Sequence, residues 1–375
     1  MPGPGIDYPY NNNPRIVNWY HTTIAHNDVT VDERPQDYFG GNEKSKAHAD
    51  QLIYAPASTL GMQRASTDSV YPDVTMDRAV FMNTHYMADL FGVFGAAPHK
   101  YDLAWHIRGE VNSTLKFAPM TFPEPVAVGY NTLTNVRQTS AANNPWNLTL
   151  TREAHTARLF AAGADTETQV ILGDSGFYVD TTSKEKDRRP TAPTIIQRRD
   201  KNAATLYGNA LDFSDGKESY VKSITQEGGL AVGYGLLRVQ TIKGTDLCFA
   251  SYRSGTYKAE GFETDAMQAY VQMNGMNVEA MYLGGGKVLK SGAGSLMRNE
   301  PGLAYVEKTA SGSYILGNPS SSEATVNITL PALAGMKAFN LNDKEARGGS
   351  AGVVKSDGTY SVSLKANSKV ELTLQ

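Results

Sequence analysis

The chain has 375 residues, enough to bury a large core, and its 35 Lys and Arg against 38 Asp and Glu leave a formal charge of −3. That balance carries no mark of a nucleic-acid or anionic-membrane partner, although a net charge says nothing against a local basic groove. Cys248 is the sole cysteine, which excludes a scaffold held by intramolecular disulfides, and no apolar run is long enough to span a bilayer.

Met1-Pro2-Gly3-Pro4-Gly5 lacks the charged and apolar regions of a signal peptide. The first strongly patterned segment is Trp19-Tyr20-His21-Thr22-Thr23-Ile24-Ala25-His26-Asn27-Asp28-Val29-Thr30-Val31-Asp32. Its Asp28–Asp32 run alternates polar and apolar residues, which predicts a half-buried strand. His26 and Asn27 then sit where a loop enters that strand, a common position for side chains that face a cleft. In a regular strand the side-chain period is two, so His21 and His26 fall on opposite faces. His26 is favoured for the cleft on that ground.

A short helix is expected around Glu43–Gln51. Beyond it, short alternating runs separated by Gly, Asn, Asp or Pro predict strands at Val74–Met82, Tyr86–Gly95, Tyr101–Gly109, Gln169–Gly173, Tyr220–Ile224 and Leu230–Ile242. The spacing of His99 and His106 again puts them on opposite faces and suits a structural role. Thr181–Pro193 is charged and reads as an exposed loop, with strand-like sequence resuming at Thr194. The doublets Arg188-Arg189 and Arg198-Arg199 could hold a polyanion, but such doublets are ordinary on exposed loops. Gly284-Gly285-Gly286 reads as a turn or bulge rather than a phosphate loop, because Lys287 is followed by Val288. Sequons at Asn112, Asn147 and Asn327 carry little weight. From about Gly302 the composition shifts, and Ala324–Leu330, Tyr360–Leu364 and Lys369–Leu374 alternate cleanly. The expected fold class is all-β: a large antiparallel β-sandwich, or supersandwich, over residues 1–300, followed by a small C-terminal β-sheet domain over 301–375.

The run from Thr23 to Asp32 resembles the His-Asn-Thr-Val segment of the heparinase II/III-like polysaccharide lyases, a group that includes alginate and oligoalginate lyases. Arg78-Ala79-Val80-Phe81-Met82 followed by Asp89-Leu90-Phe91 resembles the family's paired strands. His99-Lys100-Tyr101-Asp102-Leu103-Ala104-Trp105-His106 is similar to its His-x-Tyr-Asp strand. Gly129-Tyr130-Asn131-Thr132-Leu133 and Pro193–Arg199 resemble later landmarks, in the same order, so the resemblance covers most of residues 5–300. It implies an N-terminal α/α toroid bearing much of the catalytic machinery and a C-terminal antiparallel β-sheet body that closes the cleft. On that resemblance the sequence is expected to start inside the second part, past the His-x-His-x-Asp segment such lyases carry upstream. The expectation is a β-sheet portion of a uronate-cleaving lyase, catalytically incomplete alone, whose partners are an acidic polysaccharide or oligosaccharide and an α/α toroid. A periplasmic or secreted location goes with that substrate.

A uronate lyase removes the C5 proton of the sugar and expels the group on C4. The site must neutralise the adjacent carboxylate, stabilise enolate-like charge, and supply a base and an acid. No paired-carboxylate glycosidase pattern is present. By resemblance, His26 matches the family histidine at the sheet face, which in some members ligates a structural zinc; the other ligands belong to the upstream segment, and Asp7 is the nearest substitute. The alternative is a histidine hydrogen-bonded at a strand edge. Tyr8, in Gly5-Ile6-Asp7-Tyr8-Pro9, resembles a family Gly-Tyr-Pro loop tyrosine that acts as acid, against a loop aromatic that covers the core. Arg15 could clamp a uronate carboxylate through its planar fork, or be a solvated surface arginine. Trp19 and Tyr20 could stack on a sugar face, or be core. Asn27 completes the candidate substrate-binding set. The competing function is a non-catalytic carbohydrate-binding or structural β-sandwich module.

Overall fold

The computed structural model describes residues 16–36, 47–140, 142–164, 168–175, 192–215, 218–333, 353–354 and 359–372. Among these, regular structure is nearly all strand, and the strands form antiparallel sheets of twelve and thirteen strands. Helical structure is confined to short turns of three to five residues. No helix among the described residues is long and apolar enough to cross a membrane.

Two compact units divide the chain. The first comprises Met1–Asp50, Ala65–Arg78 and Phe91–Tyr220; the second comprises Gln51–Arg64, Ala79–Leu90 and Val221–Gln375. In the first, Val29–Val31 pairs with Tyr101–Leu103, which ties the His26 segment to the middle of the chain. Thr168–Ser175 lies between Leu133–Gln138 and the Ala192–Arg199 part of a long strand. His155–Ala161 likewise lies between Trp146–Arg152 and Asn209–Asp212.

In the second unit, consecutive hairpins run through Val221–Gly229, Tyr234–Thr241 and Thr245–Ser251. Gln268–Asn274, Asn277–Ser291 and Gly294–Lys308 continue the ladder. Ala324–Thr329 and Tyr360–Leu364 pair at one side, and Tyr314–Asn318 pairs with Ser368–Leu372. Residues beyond 300 thus share a sheet with those before it. Period-two burial explains these strands. Val326, Ile328 and Val362 point inward to the core that holds Leu296, Met281 and Phe249, while Thr325, Asn327 and Ser363 alternate with them on the other face.

Val74–Met82 and Tyr360–Leu364 form the strands expected, to the residue. Tyr86–Gly95 and Tyr101–Gly109 are instead one strand of 21 residues, Tyr86–His106. The helix expected at Glu43–Gln51 does not form in its described part: residues 47–49 are irregular and Asp50 opens the Asp50–Pro56 strand, while 43–46 lie outside the described residues. The segment is too polar to offer an apolar helical stripe, whereas Ile53 and Ala55 of the strand are buried at every second position.

The Thr181–Pro193 loop lies outside the described residues up to residue 191, and strand begins at Ala192 rather than Thr194. Arg188-Arg189 falls in that undescribed stretch. Arg198 and Arg199, expected on an exposed loop, are buried in the strand. Each has compensation: Arg198 pairs with carboxylates, and Arg199 lies over the Tyr207 ring at 4.1 Å and donates to the Leu206 carbonyl at 2.8 Å.

The triple glycine is a bulge. The register slips between Gly284 and Gly286, and Gly285 takes φ +74°, a left-handed conformation suited to glycine. Asp265 Oδ1 receives the Lys287 and Val288 amides there, each at 2.8 Å.

Candidate functional site

The segment around His26 is anchored before it reaches the sheet. Ile16–Tyr20 forms one helical turn and Thr23–Ala25 a second, tighter one. The Thr22 hydroxyl and amide both donate to the Trp19 carbonyl, at 2.7 and 2.8 Å. Trp19, Tyr20, Ile24 and Ala25 are buried with Ala104, Tyr130 and Ile196. The chain is therefore not a regular strand between His21 and His26, and both histidines are exposed. The strand starts only at Val29, and its three residues are all buried rather than alternating.

His26 lies just outside that anchored turn. Its Nε2 is 3.0 Å from the Tyr20 carbonyl oxygen. A carbonyl only accepts, so Nε2 carries the proton in the neutral ring and the lone pair lies on Nδ1. Asn27 is next, and its side-chain oxygen accepts the His106 amide at 2.7 Å. Its carbonyl accepts Arg78 Nη1 at 2.6 Å. Asp28 Oδ1 caps the Val29 amide at 2.7 Å and Oδ2 accepts Gln36 Nε2 at 3.0 Å, while the Asp28 carbonyl accepts the Ala104 amide. Burial pushes the Asp28 carboxyl above its ordinary range, and the nearby Arg78 charge pulls it partly back. Among the described residues, nearly every polar group of this turn is engaged; His26 Nδ1 and Asn27 Nδ2 have no partner.

His106 supports the turn from beneath. Its Nε2 donates to the Ile24 carbonyl at 2.9 Å, and Nδ1 is 3.4 Å from the Thr194 hydroxyl. The Trp19 ring meets it edge-on at 5.8 Å between centroids. Burial lowers its pKa to about 4, so the ring is neutral at physiological pH. His99, by contrast, faces Asp32: Nδ1 is 2.7 Å from Oδ2, and the neighbouring Lys100 amide donates to Oδ1 at 2.9 Å.

Four residues before His106 in sequence, Asp102 holds a buried charge network. Arg198 embraces it with two bonds, Nε to Oδ1 at 2.8 Å and Nη2 to Oδ2 at 2.6 Å, and Tyr130 donates its hydroxyl to Oδ2 at 2.6 Å. Arg198 Nη2 also reaches Glu33 Oε1 at 2.6 Å, and Lys100 Nζ lies 3.3 Å from the same oxygen. Burial opposes the Arg198 charge, but the two carboxylates and Tyr130 more than offset it and hold the guanidinium protonated. Burial, with the Asp102 charge behind it, pushes the Tyr130 hydroxyl well above its usual value.

Of the residues singled out from sequence, His26 and Asn27 are brought together at one turn. Trp19 and Tyr20 are 1% and 6% exposed, which makes them core residues rather than a sugar-stacking pair. Tyr8 and Arg15 lie outside the described residues, as does Asp7. Arg78 carries no sequence signal of its supporting role; the spacing of His106 suits a structural role, but its contact with this turn is not legible, because both residues lie far from the turn along the chain.

The zinc implied by resemblance does not fit the described residues alone. No group of three or more His, Cys, Asp or Glu side chains among them could hold a metal ion. His26 Nδ1 is a suitable donor, but both His106 ring nitrogens and both Asp28 oxygens are engaged in hydrogen bonds.

The described residues form an all-β body in which one pinned turn presents the His26 imidazole and the Asn27 amide. Residues 5–206, more than half of the chain, match the family model described as heparinase II/III-like, C-terminal; the chain belongs to that family. A comparison with curated proteins found no match.

Among solved structures, the heparan sulfate lyase HepC from Pedobacter heparinus is similar at 15% identity and a TM-score of 0.46, over 68% of this chain and 35% of that one. The BT4657 gene product, a heparinase III, shares 13% identity with a TM-score of 0.44, over 67% and 34%. A further heparinase III shares 15% identity with a TM-score of 0.42, over 67% and 33%. The chain thus spans about a third of the length of these structures.

Proposed function

We propose that this chain is the β-sheet portion of a polysaccharide lyase that cleaves uronate-containing glycans by β-elimination, and that it is catalytically incomplete alone. A further domain, of the α/α toroid kind, supplies the remaining acid–base groups. His26 Nδ1 offers a lone pair to the C5 proton of the uronate, and Asn27 Nδ2 donates to the carboxylate on which charge develops. As the C5–H bond breaks, its electron pair forms the C4–C5 double bond and the C4–O bond leaves with its electrons. An acid protonates the departing oxygen. Tyr8 is proposed for that proton and Arg15 for a carboxylate contact. The substrate is an acidic polysaccharide or oligosaccharide met in the periplasm or outside the cell.

One observation carries the reading. The turn at residues 26–28 spends its other polar groups on holding itself in place and leaves one imidazole nitrogen and one amide group unpartnered among the described residues. The test is ultraviolet absorbance of the unsaturated uronate product with alginate, heparin-type and ulvan substrates. The chain is assayed alone and joined to a family toroid. Product should form only in the joined protein. Turnover by the chain alone would remove the claim of incompleteness, and silence of both would remove the lyase reading in favour of a carbohydrate-binding module.

A further inference from the structure

Arg78, in the Val74–Met82 strand, reaches the back of the His26 turn with its guanidinium. Its Cζ lies 4.9 Å from the centroid of the Phe91 ring and 5.8 Å from that of Trp105. Both rings are buried, at 3% and 0% exposure. A planar cation held against aromatic faces has few orientations left, so its N–H bonds point in fixed directions. One of them, from Nη1, reaches the Asn27 carbonyl at 2.6 Å. The residue it grips has its side chain gripped as well, where the His106 amide donates to Asn27 Oδ1 at 2.7 Å. With backbone and side-chain oxygens both fixed, the Asn27 amide group has its orientation set. Asp28, the next residue, feels the Arg78 charge directly.

We propose that Arg78 is a positioning residue for the His26–Asn27 pair: its ring-stacked guanidinium locks the Asn27 carbonyl and thereby fixes where Asn27 Nδ2 and His26 Nδ1 are presented. This rests on reading His26 and Asn27 as the glycan-facing pair, and it places the control of that pair on a residue that reaches the turn through the Asn27 carbonyl. Lysine in the same place keeps a positive charge near Asp28 but has neither the plane to stack nor the fork to aim. The electrostatic and the geometric parts of the role are thus separable. Burial raises the Asp28 carboxyl and Arg78 opposes this, so the charge supports the turn as well.

The test uses the full chain and two variants, Arg78→Lys and Arg78→Met, read by amide hydrogen exchange. In the wild type the His106 and Val29 amides are protected by Asn27 Oδ1 and Asp28 Oδ1. Arg78→Met should speed exchange at His106 and Val29 at least tenfold while leaving Leu148 and Leu159, in a ladder away from the turn, unchanged. Arg78→Lys should give an intermediate effect at the same two amides. Wild-type protection at His106 and Val29 in both variants would overturn the proposal. Uniform loss of protection in both would overturn it too, by showing a general structural role. A separate arm measures binding of a uronate oligosaccharide to Arg78→Lys, His26→Ala and Asn27→Ala. If neither His26→Ala nor Asn27→Ala weakens binding, the glycan-facing reading fails, while the exchange result still decides whether Arg78 positions the turn.

Discussion

The His106 amide donates to the side-chain oxygen of Asn27 across 79 residues of sequence, at 2.7 Å. The end of the Tyr86–His106 strand therefore dictates the orientation of a side chain at the sheet's entry turn. His26 and His106, though both histidines and both near this turn, have different tasks: one is exposed and has a spare nitrogen, the other is enclosed and has none.

That difference predicts unequal responses to alanine. His26→Ala removes one part-buried hydrogen bond, worth about 0.5–1.5 kcal/mol, and should leave the urea midpoint of unfolding nearly where it was. His106→Ala vacates buried volume and orphans the Ile24 carbonyl, for a loss of about 2–4 kcal/mol. In the toroid-joined protein the ranking should reverse for turnover, with His26→Ala the more damaging. Equal effects on turnover would make His26 a structural residue.

The His106 ring should also be silent where most histidines titrate. Burial lowers its pKa to about 4 from the ordinary 6.5, so the fold favours the neutral ring. The stability this contributes is complete above about pH 6.5 and is lost as the pH falls through about 4. Ring carbon chemical shifts tracked from pH 8 to 5 should not move for His106. A midpoint near 6.5 would refute the enclosed, neutral state.

Asp246 in the second unit gives the opposite window. Its Oδ2 accepts the Tyr86 hydroxyl at 2.7 Å and the Tyr270 hydroxyl at 3.0 Å, and Oδ1 accepts the Met273 amide at 3.1 Å. Burial outweighs these bonds and raises the carboxyl to about 6 from 3.8. Its protonated form is therefore favoured by folding. That contribution is full below about pH 4 and disappears as the pH rises through about 6, a change on the order of 3 kcal/mol. Asp246→Asn should flatten the fall in stability between about pH 4 and 6, measured by urea denaturation at each pH. An unchanged slope in the variant would rule out Asp246 as its source.

The Asp102–Arg198 pair predicts strong coupling. Arg198→Met strands a buried carboxylate and should destabilise the first unit by about 3–5 kcal/mol. Asp102→Asn retains an oxygen for Tyr130 and removes the charge, so the double variant should be more stable than Arg198→Met alone. A double-mutant cycle checks this, and simple additivity would contradict the network.

Much of the sheet architecture is legible from alternation. Tyr360–Leu364 can be bounded because its apolar residues recur at every second position and polar residues flank it. Val74–Met82 can be bounded because Val74 and Met76, then Ala79 and Phe81, alternate on either side of a phase shift at Asp77-Arg78, between Asp73 and Asn83. The long Tyr86–His106 strand is not legible as one element, since Gly95, Ala96, Ala97 and Pro98 interrupt the pattern where the strand becomes exposed. Alternation reports burial, and burial lapses there while the extended backbone does not. At the site, His26 and Asn27 stand out as residue types beside a strand start. Their supports do not: the Arg78 bond to Asn27 spans 51 residues, and no local pattern announces a contact at that range. The burial of Arg198 is hidden for a related reason, because it depends on Asp102, 96 residues away, meeting the guanidinium.

The short ladder between Val29–Val31 and Tyr101–Leu103 is reinforced on both flanks. Ala104 donates to the Asp28 carbonyl, Asp32 exchanges bonds with His99 and Lys100, and Glu33 shares Arg198 with Asp102. Residues 16–36 are thus seated on the first unit the way a bound peptide is seated, by one paired strand, buried aromatic anchors and charged clamps. The turn is held by contacts with residues far from it in sequence, so its seat is a tertiary one and not the product of its own short strand.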